Sequence, residues 1–173
     1  MLREWLASAM IMAYAGAATA GADMALPHPR GGDGEACAAQ ASGPAMRIAV
    51  SGFKDNKGNV RVQLYSDKPE EYLAKGAKLR RIEMPAPADE EATAEICVAV
   101  PVAGEYAIIV MHDRDGDGKA SPFSDGFAVP GVDKMKMRKP TYEEGRVVVG
   151  EEIVDIAVNL QYLTGNKRRR GAP

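Results

Sequence analysis

Histidine, cysteine and tryptophan are scarce in this chain: two His, two Cys and one Trp in 173 residues. Two His, one of them (His28) among prolines near the N-terminus, cannot build a His₃ or His₂-carboxylate catalytic zinc site. Two Cys, at positions 37 and 97, cannot form a Cys₄ cluster or a disulfide-dense miniature scaffold. Charge of one sign is missing as well. Twenty-two basic residues stand against 24 acidic ones, a net −2 without the basic excess of a dedicated nucleic-acid binder. There is no G-x-S-x-G, no H-E-x-x-H and no phosphate-cradling glycine loop. Beyond the first twenty residues no apolar run approaches the ~20 needed to span a bilayer.

What is present begins with a targeting signal. Arg3 and Glu4 precede an apolar run from Trp5 to Ala18, and the small residues Ala18-Thr19-Ala20 follow. A short charged start, an apolar core and a small-x-small exit are the marks of a secretory signal peptide, here residues 1–20 with cleavage after Ala20. No Cys follows the exit to take a lipid. The expected location is periplasmic or secreted, with no membrane span once the signal is removed. Export makes a disulfide permissible, and Cys37 and Cys97 are an even pair. Two free buried thiols are the alternative.

Residues 21–45 are rich in Ala, Gly and Pro and read as a flexible linker, pinned near Cys37 if the disulfide forms. Residues 164–173, with Lys167, Arg168, Arg169 and Arg170, read as a disordered basic tail. Between them, residues 46–163 alternate apolar and polar side chains with the period of strands. Met46, Ile48 and Val50 form one such face, and Val60, Val62 and Leu64 form another. The turn-prone stretch from Asp55 to Asn59 suggests that these two strands pair as a hairpin. Pro69 to Lys75 is one short helical excursion. Further strands are expected at 79–84, 94–100, 105–111 and 146–149, and the last, 153–162, forms a second hairpin with 146–149 around Gly150. The run 105–111 is apolar on both faces and is expected to be central. About seven short strands with little helix predict an all-β, antiparallel β-sandwich of immunoglobulin-like or transthyretin-like type.

The stretch Ile48 to Phe53, Gly58 and Val60 to Tyr65 resembles the opening of a bacterial family of exported proteins known as domain of unknown function 2141. Pro101 to Asp113, an Asp/Gly-rich loop and then Gly126-Phe127 extend the resemblance across residues 46–162. It implies a small periplasmic or secreted β-sandwich with no established reaction. The tails are not part of it.

One loop carries chemistry. Asp113, Asp115 and Asp117 occupy positions 1, 3 and 5 of a calcium-loop string, with Gly118 at 6. Lys119 offers a carbonyl at 7, and Ser121 a hydroxyl at 9, directly or through water. Position 12, where an EF-hand places a bidentate Glu, is Ser124, and Asp125 follows one place late. A strand rather than a helix leads into the loop. The string therefore reads either as a weak calcium site on a β scaffold or as a solvated acidic turn. His112, beside Asp113, has the residue type for acid–base work, or ends its strand with its ring bonded to backbone. The long stretch 126–142, with Met135 and Met137 among Lys134, Lys136, Arg138 and Lys139, reads either as a partner-binding patch or as a lid with Met filling gaps. Together these point to a monomeric, non-catalytic envelope module that binds a protein or glycan partner through strand-end loops, not nucleic acid. A calcium-binding protein is the alternative, and a small hydrolase a more remote one.

Overall fold

The computed structural model describes residues 30–163. The signal segment 1–20, the first part of the linker with His28, and the basic tail 164–173 lie outside the described residues. Ten strands run in the order β1 (Arg30–Gly32), β2 (Ala45–Ser51), β3 (Asn59–Tyr65), β4 (Arg80–Pro85), β5 (Ala94–Ala99), β6 (Gly104–Asp113), β7 (Gly126–Ala128), β8 (Arg146–Val149), β9 (Ile153–Asn159) and β10 (Gln161–Tyr162). One four-residue helix, α1 (Tyr142–Gly145), precedes β8. The helical excursion after Pro69 is a single 3-10 turn, Pro69–Glu71.

The strands divide into two sheets. The first has the order β1-β5-β2-β9, and the second β10-β7-β6-β3-β4, with β8 also on β6. Both inner faces feed one core. Met46, Ile48, Val50, Ile96, Val98, Ile156 and Val158 of the first sheet pack with Val60, Val62, Leu64, Ile108, Val110 and Val149 of the second. This is a face-to-face β architecture, and the alternation in the sequence marks the core-facing side of β2, β3, β5 and β9 correctly.

Two expected hairpins do not form. β2 pairs with β5 and β9, whereas β3 pairs with β4 and β6. β8 pairs with β6, whereas β9 pairs with β2. In both places the chain crosses from one sheet to the other. The physical reason is that each strand has one apolar face. Crossing sets 46/48/50 opposite 60/62/64 through the core, where a hairpin would set them side by side. The β2–β3 connection is also longer than the two to five residues that favour hairpins. The second sheet is antiparallel throughout, as expected, but the first is mixed: β2 runs parallel to β9 from Ala45↔Ile153 to Ser51↔Asn159, and β1 runs parallel to β5.

The second half of the expected linker is built into the fold. β1 adds to the edge of β5, and a 3-10 turn at Gly34–Cys37 leads to the disulfide between Cys37 and Cys97, whose Cα atoms are 5.9 Å apart. Asp33 ties the segment further, accepting from Arg80 at 2.6 Å and from the Ala99 N–H at 2.9 Å. The segment contributes little to the core, so cross-links hold it.

β6 is buried on both faces, as its sequence predicts. Tyr106, Ile108 and Val110 face the main core. Ala107 and Ile109 face a second cluster with Tyr65, Tyr72, Val129 and Tyr142. The connections that follow β3 and β7 supply Tyr72, Val129 and Tyr142, roofing the outer face of the second sheet. Met135 packs against this cluster, and Met137 stays 78% exposed. The lid reading of the stretch thus describes Met135, and Met137 is left to solvent. No helix among the described residues is long and apolar enough to cross a membrane.

Candidate metal centre

Strand parity decides what the end of β6 presents. Even-numbered residues of β6 face the main core, so His112 turns inward and Asp113 outward. On the outward side, Arg61 of β3 and Glu83 of β4 are cross-strand neighbours. Arg61 is only 1% exposed, although it is a cation. Such burial demands compensation, and the surroundings provide it. Its guanidinium donates to Asp113 Oδ2 at 2.7 Å, to both Glu83 oxygens at 3.1 and 3.2 Å, and to the Gly118 carbonyl at 3.3 Å. The same pairing with Arg61 holds the Glu83 carboxyl below its ordinary pKa, against the opposing effect of its partial burial.

The loop after Asp113 folds back over this pair. Gly118, at a positive φ of 77°, donates its N–H to Asp113 Oδ2 at 3.0 Å. A left-handed residue is needed to aim that N–H back at the start of the loop, which is why glycine stands there. Asp115 accepts from the Asp117 N–H at 3.2 Å, and Asp117 accepts from the Lys119 N–H at 2.7 Å, so each carboxylate caps the next turn of backbone. One oxygen from each of Asp113, Asp115 and Asp117 lies within 4.8 Å of the others. Two oxygens sharing an ion at about 2.4 Å can be no further apart than about 4.8 Å. Asp113 is fully buried, while Asp115 and Asp117 are exposed. Asp113 Oδ1 is buried and has no hydrogen-bond partner. It is the sole buried side-chain oxygen or nitrogen in that condition among the described residues.

The other expected ligands divide. Lys119 donates its backbone N–H to Asp117, and its ammonium lies 4.0 Å from Asp117 on an exposed side chain. Ser121 donates its N–H to Asp125 Oδ2 at 2.8 Å. Asp125 is not one of the clustered carboxylates. It is fully buried, and its Oδ1 accepts the Arg114 N–H at 3.3 Å and the Ser124 hydroxyl at 3.1 Å. Its work is to close the loop on itself. The salt bridge of Arg114 with Asp55 clamps the loop to the β2–β3 connection. Partial burial pulls Asp55 upward, but hydrogen bonds from Arg114 and the Lys57 N–H outweigh it and leave its pKa lowered.

His112 lies on the other face, with both ring nitrogens occupied. Nε2 is 2.6 Å from the Lys57 carbonyl, and Nδ1 is 2.6 Å from the Tyr162 hydroxyl. A carbonyl only accepts, so Nε2 carries the proton and Tyr162 donates to Nδ1. Tyr162 in turn accepts the Lys54 N–H at 3.1 Å. Burial lowers the His112 pKa and raises that of Tyr162.

Arg61, Glu83 and the Arg114–Asp55 clamp do not stand out as site residues in the sequence. A charged residue in the middle of a strand was the available signal for Arg61. Its partner Asp113 is 52 positions away, however, and only sheet pairing brings them together.

A two-sheet β domain that carries clustered carboxylates on a strand-end loop is the class this arrangement defines. The chain belongs to the bacterial family described as "Uncharacterized protein conserved in bacteria (DUF2141)", whose model matches residues 48–157. No curated protein and no solved structure matches it. The matched span contains the whole acidic loop together with Arg61 and Glu83.

Proposed function

We propose that this protein is an exported, non-catalytic binding module of the bacterial envelope whose working part is a calcium site in the loop 113–125. The observation that carries the reading is the cluster of three carboxylates, one of whose members, Asp113, has a buried oxygen, Oδ1, without a partner. A buried carboxylate oxygen left without a partner costs about 1–3 kcal/mol. Two further carboxylates close by raise that cost by repulsion. A hard dication relieves both and takes carboxylate and carbonyl oxygens as ligands. Asp113, Asp115, Asp117 and the Lys119 carbonyl are the residues that would hold it. The neighbouring Arg61 repels the ion, and the twelfth-position ligand is missing. The expected Kd is therefore in the weak range of extracellular modules, about 10⁻⁴–10⁻³ M.

Export is supported by the signal pattern at residues 1–20 and by the Cys37–Cys97 disulfide, which suits an oxidising compartment. Calorimetric titration of the purified protein with calcium tests the site. Saturable heat that Asp115→Asn removes is expected. Flat titrations into the millimolar range sink the reading.

A further inference from the structure

The outer strands of the two sheets are not alike. An edge strand presents unpaired N–H and C=O groups to any further strand, and folded chains blunt such edges with short strands, charges, proline or a bulge. β1 has three residues, β10 two and β8 four. β4 carries Arg80, Arg81 and Glu83 and ends in Pro85. β9 has none of these devices. It is seven residues long and holds no Pro, Gly or Lys. Its pairing with β2 runs without a break from Ile153 to Asn159, so no bulge turns it away. Its one charge, Asp155, is matched by Arg47 of the same sheet at 3.0 Å. Among the described residues no strand pairs with its other side.

The backbone shows which groups that side presents. The Leu160 N–H donates to the Ser51 carbonyl at 2.9 Å, and the Val158 carbonyl accepts the Ser51 hydroxyl at 3.3 Å. Even-numbered residues of β9 therefore direct their backbone groups to β2. Ile153, Asp155 and Ala157 turn theirs to the open side.

The side chains fit a second copy of the same strand. The core-facing positions read Val154, Ile156, Val158, the same in both directions. Two β9 strands laid antiparallel about Ile156 set Val154 against the partner's Val158, and Ile156 against the partner's Ile156. β-branched cross-strand pairs of this kind are favourable. Asp155 then meets the partner's Ala157, and both turn their backbone groups into the seam, so each such pair exchanges both N–H···O bonds. Centring the pair on Asp155 would oppose two carboxylates, which fixes the register at Ile156.

Other segments of this chain fit less well. Residues 21–29 lead into β1, at the opposite edge of the same sheet. Residues 164–173 carry Lys167, Arg168, Arg169 and Arg170 in a row with Gly165, Gly171 and Pro173, a poor composition for a strand.

We propose that β9 is a homodimer interface, at which two copies join their first sheets into one continuous sheet. A dimer of this kind replaces the monomer expected from the sequence. It does not depend on the calcium site, whose loop follows β6 of the other sheet. A contact of one strand a side is small, so the expected Kd is weak, about 10⁻⁵–10⁻⁴ M.

Sedimentation velocity of the full purified chain, from about 1 to about 500 µM, reads the association. A shift from monomer to dimer over that range is expected. Ala157, exposed on β9, tests the register. Ala157→Glu sets a carboxylate against the partner's Asp155 at both ends of the seam and should weaken the dimer about tenfold. Ala157→Lys sets an ammonium there and should leave the dimer as tight or tighter. Circular dichroism of both variants at low concentration should match that of the wild-type chain. A wild-type chain that stays monomeric throughout overturns the proposal. Equal effects of Ala157→Glu and Ala157→Lys on the dimer overturn it as well, because the seam then lies elsewhere. A full chain that stays monomeric while a chain ending at Leu163 dimerises makes the basic tail the occupant of the edge, and that also overturns it.

Discussion

Replacing Arg61 with Met is the perturbation that most directly couples the fold to the site. Met has similar length and no charge, so the change removes a buried cation and leaves its partners in place. Asp113 keeps only the Gly118 N–H, and Glu83 keeps Arg81. Removing one partner of a buried pair costs about 3–5 kcal/mol. Glu83 has a 28% exposed side chain that water can reach, so the lower end, about 3 kcal/mol, is expected. Calcium changes this figure. An ion on the Asp113 carboxylate sits about 6 Å from the guanidinium, and charges of +2 and +1 at that distance repel by about 1.4 kcal/mol even in water. Arg61→Met should therefore bind calcium about tenfold more tightly. Urea unfolding of both proteins, in EDTA and in excess calcium, reads the two effects together. The expected destabilisation is about 3 kcal/mol without calcium and about half of that with it. Equal destabilisation in both conditions refutes the coupling. A loss below about 1 kcal/mol in EDTA refutes the claim that Arg61 is the counter-charge of the site.

Three other outcomes follow from the structure. The Cys37→Ser, Cys97→Ser double variant opens a loop of sequence separation 60 and should lose up to about 4 kcal/mol in denaturant unfolding; a loss under about 1 kcal/mol would show that β1 and Asp33 alone secure the segment. Gly58 has a φ of 64°, and a Cβ there would sit 1.9 Å from the Asp113 carbonyl oxygen; Gly58→Ala should cost more than about 2 kcal/mol and weaken calcium binding, and near-wild-type behaviour in both would contradict the close approach. Burial lowers the His112 pKa from its ordinary 6.5, so the unfolded chain takes up this proton first; stability should be fully present above pH 6.5 and decline as pH falls from there through the folded-state value, and an NMR titration placing the His112 pKa above 6.5 would reverse that sign.

Much of the β pattern was legible in the sequence, because one-sided burial leaves a period of two. Met46, Ile48 and Val50, and Val60, Val62 and Leu64, announce their inward faces. Alternation does not say which strand lies beside which, so the two crossings between sheets read as hairpins. β7 and β10 have three and two residues, too short to show any period. β1 escaped notice because its Arg-Gly-Gly sequence has no strand propensity, and it is held by backbone pairing, Asp33 and the disulfide. At the site, the spacing of Asp113, Asp115, Asp117 and Gly118 was visible because the whole loop is local. Asp125 looked like a late ligand, since spacing cannot show that the Ser121 and Arg114 N–H groups already occupy it. Arg61 and Glu83 entered only through strand register.

Calcium binding by the loop 113–125 is the property on which the proposed function turns. Thermal unfolding of the purified protein, with 10 mM EDTA replaced by about 10 mM calcium, measures it at once. For a Kd of about 1 mM the gain is about 1.4 kcal/mol, a rise of a few degrees in Tm. Asp115→Asn should show no rise. A Tm that is the same in calcium and EDTA for the wild-type chain, or a rise that Asp115→Asn shares in full, contradicts the assignment of the loop as the calcium site.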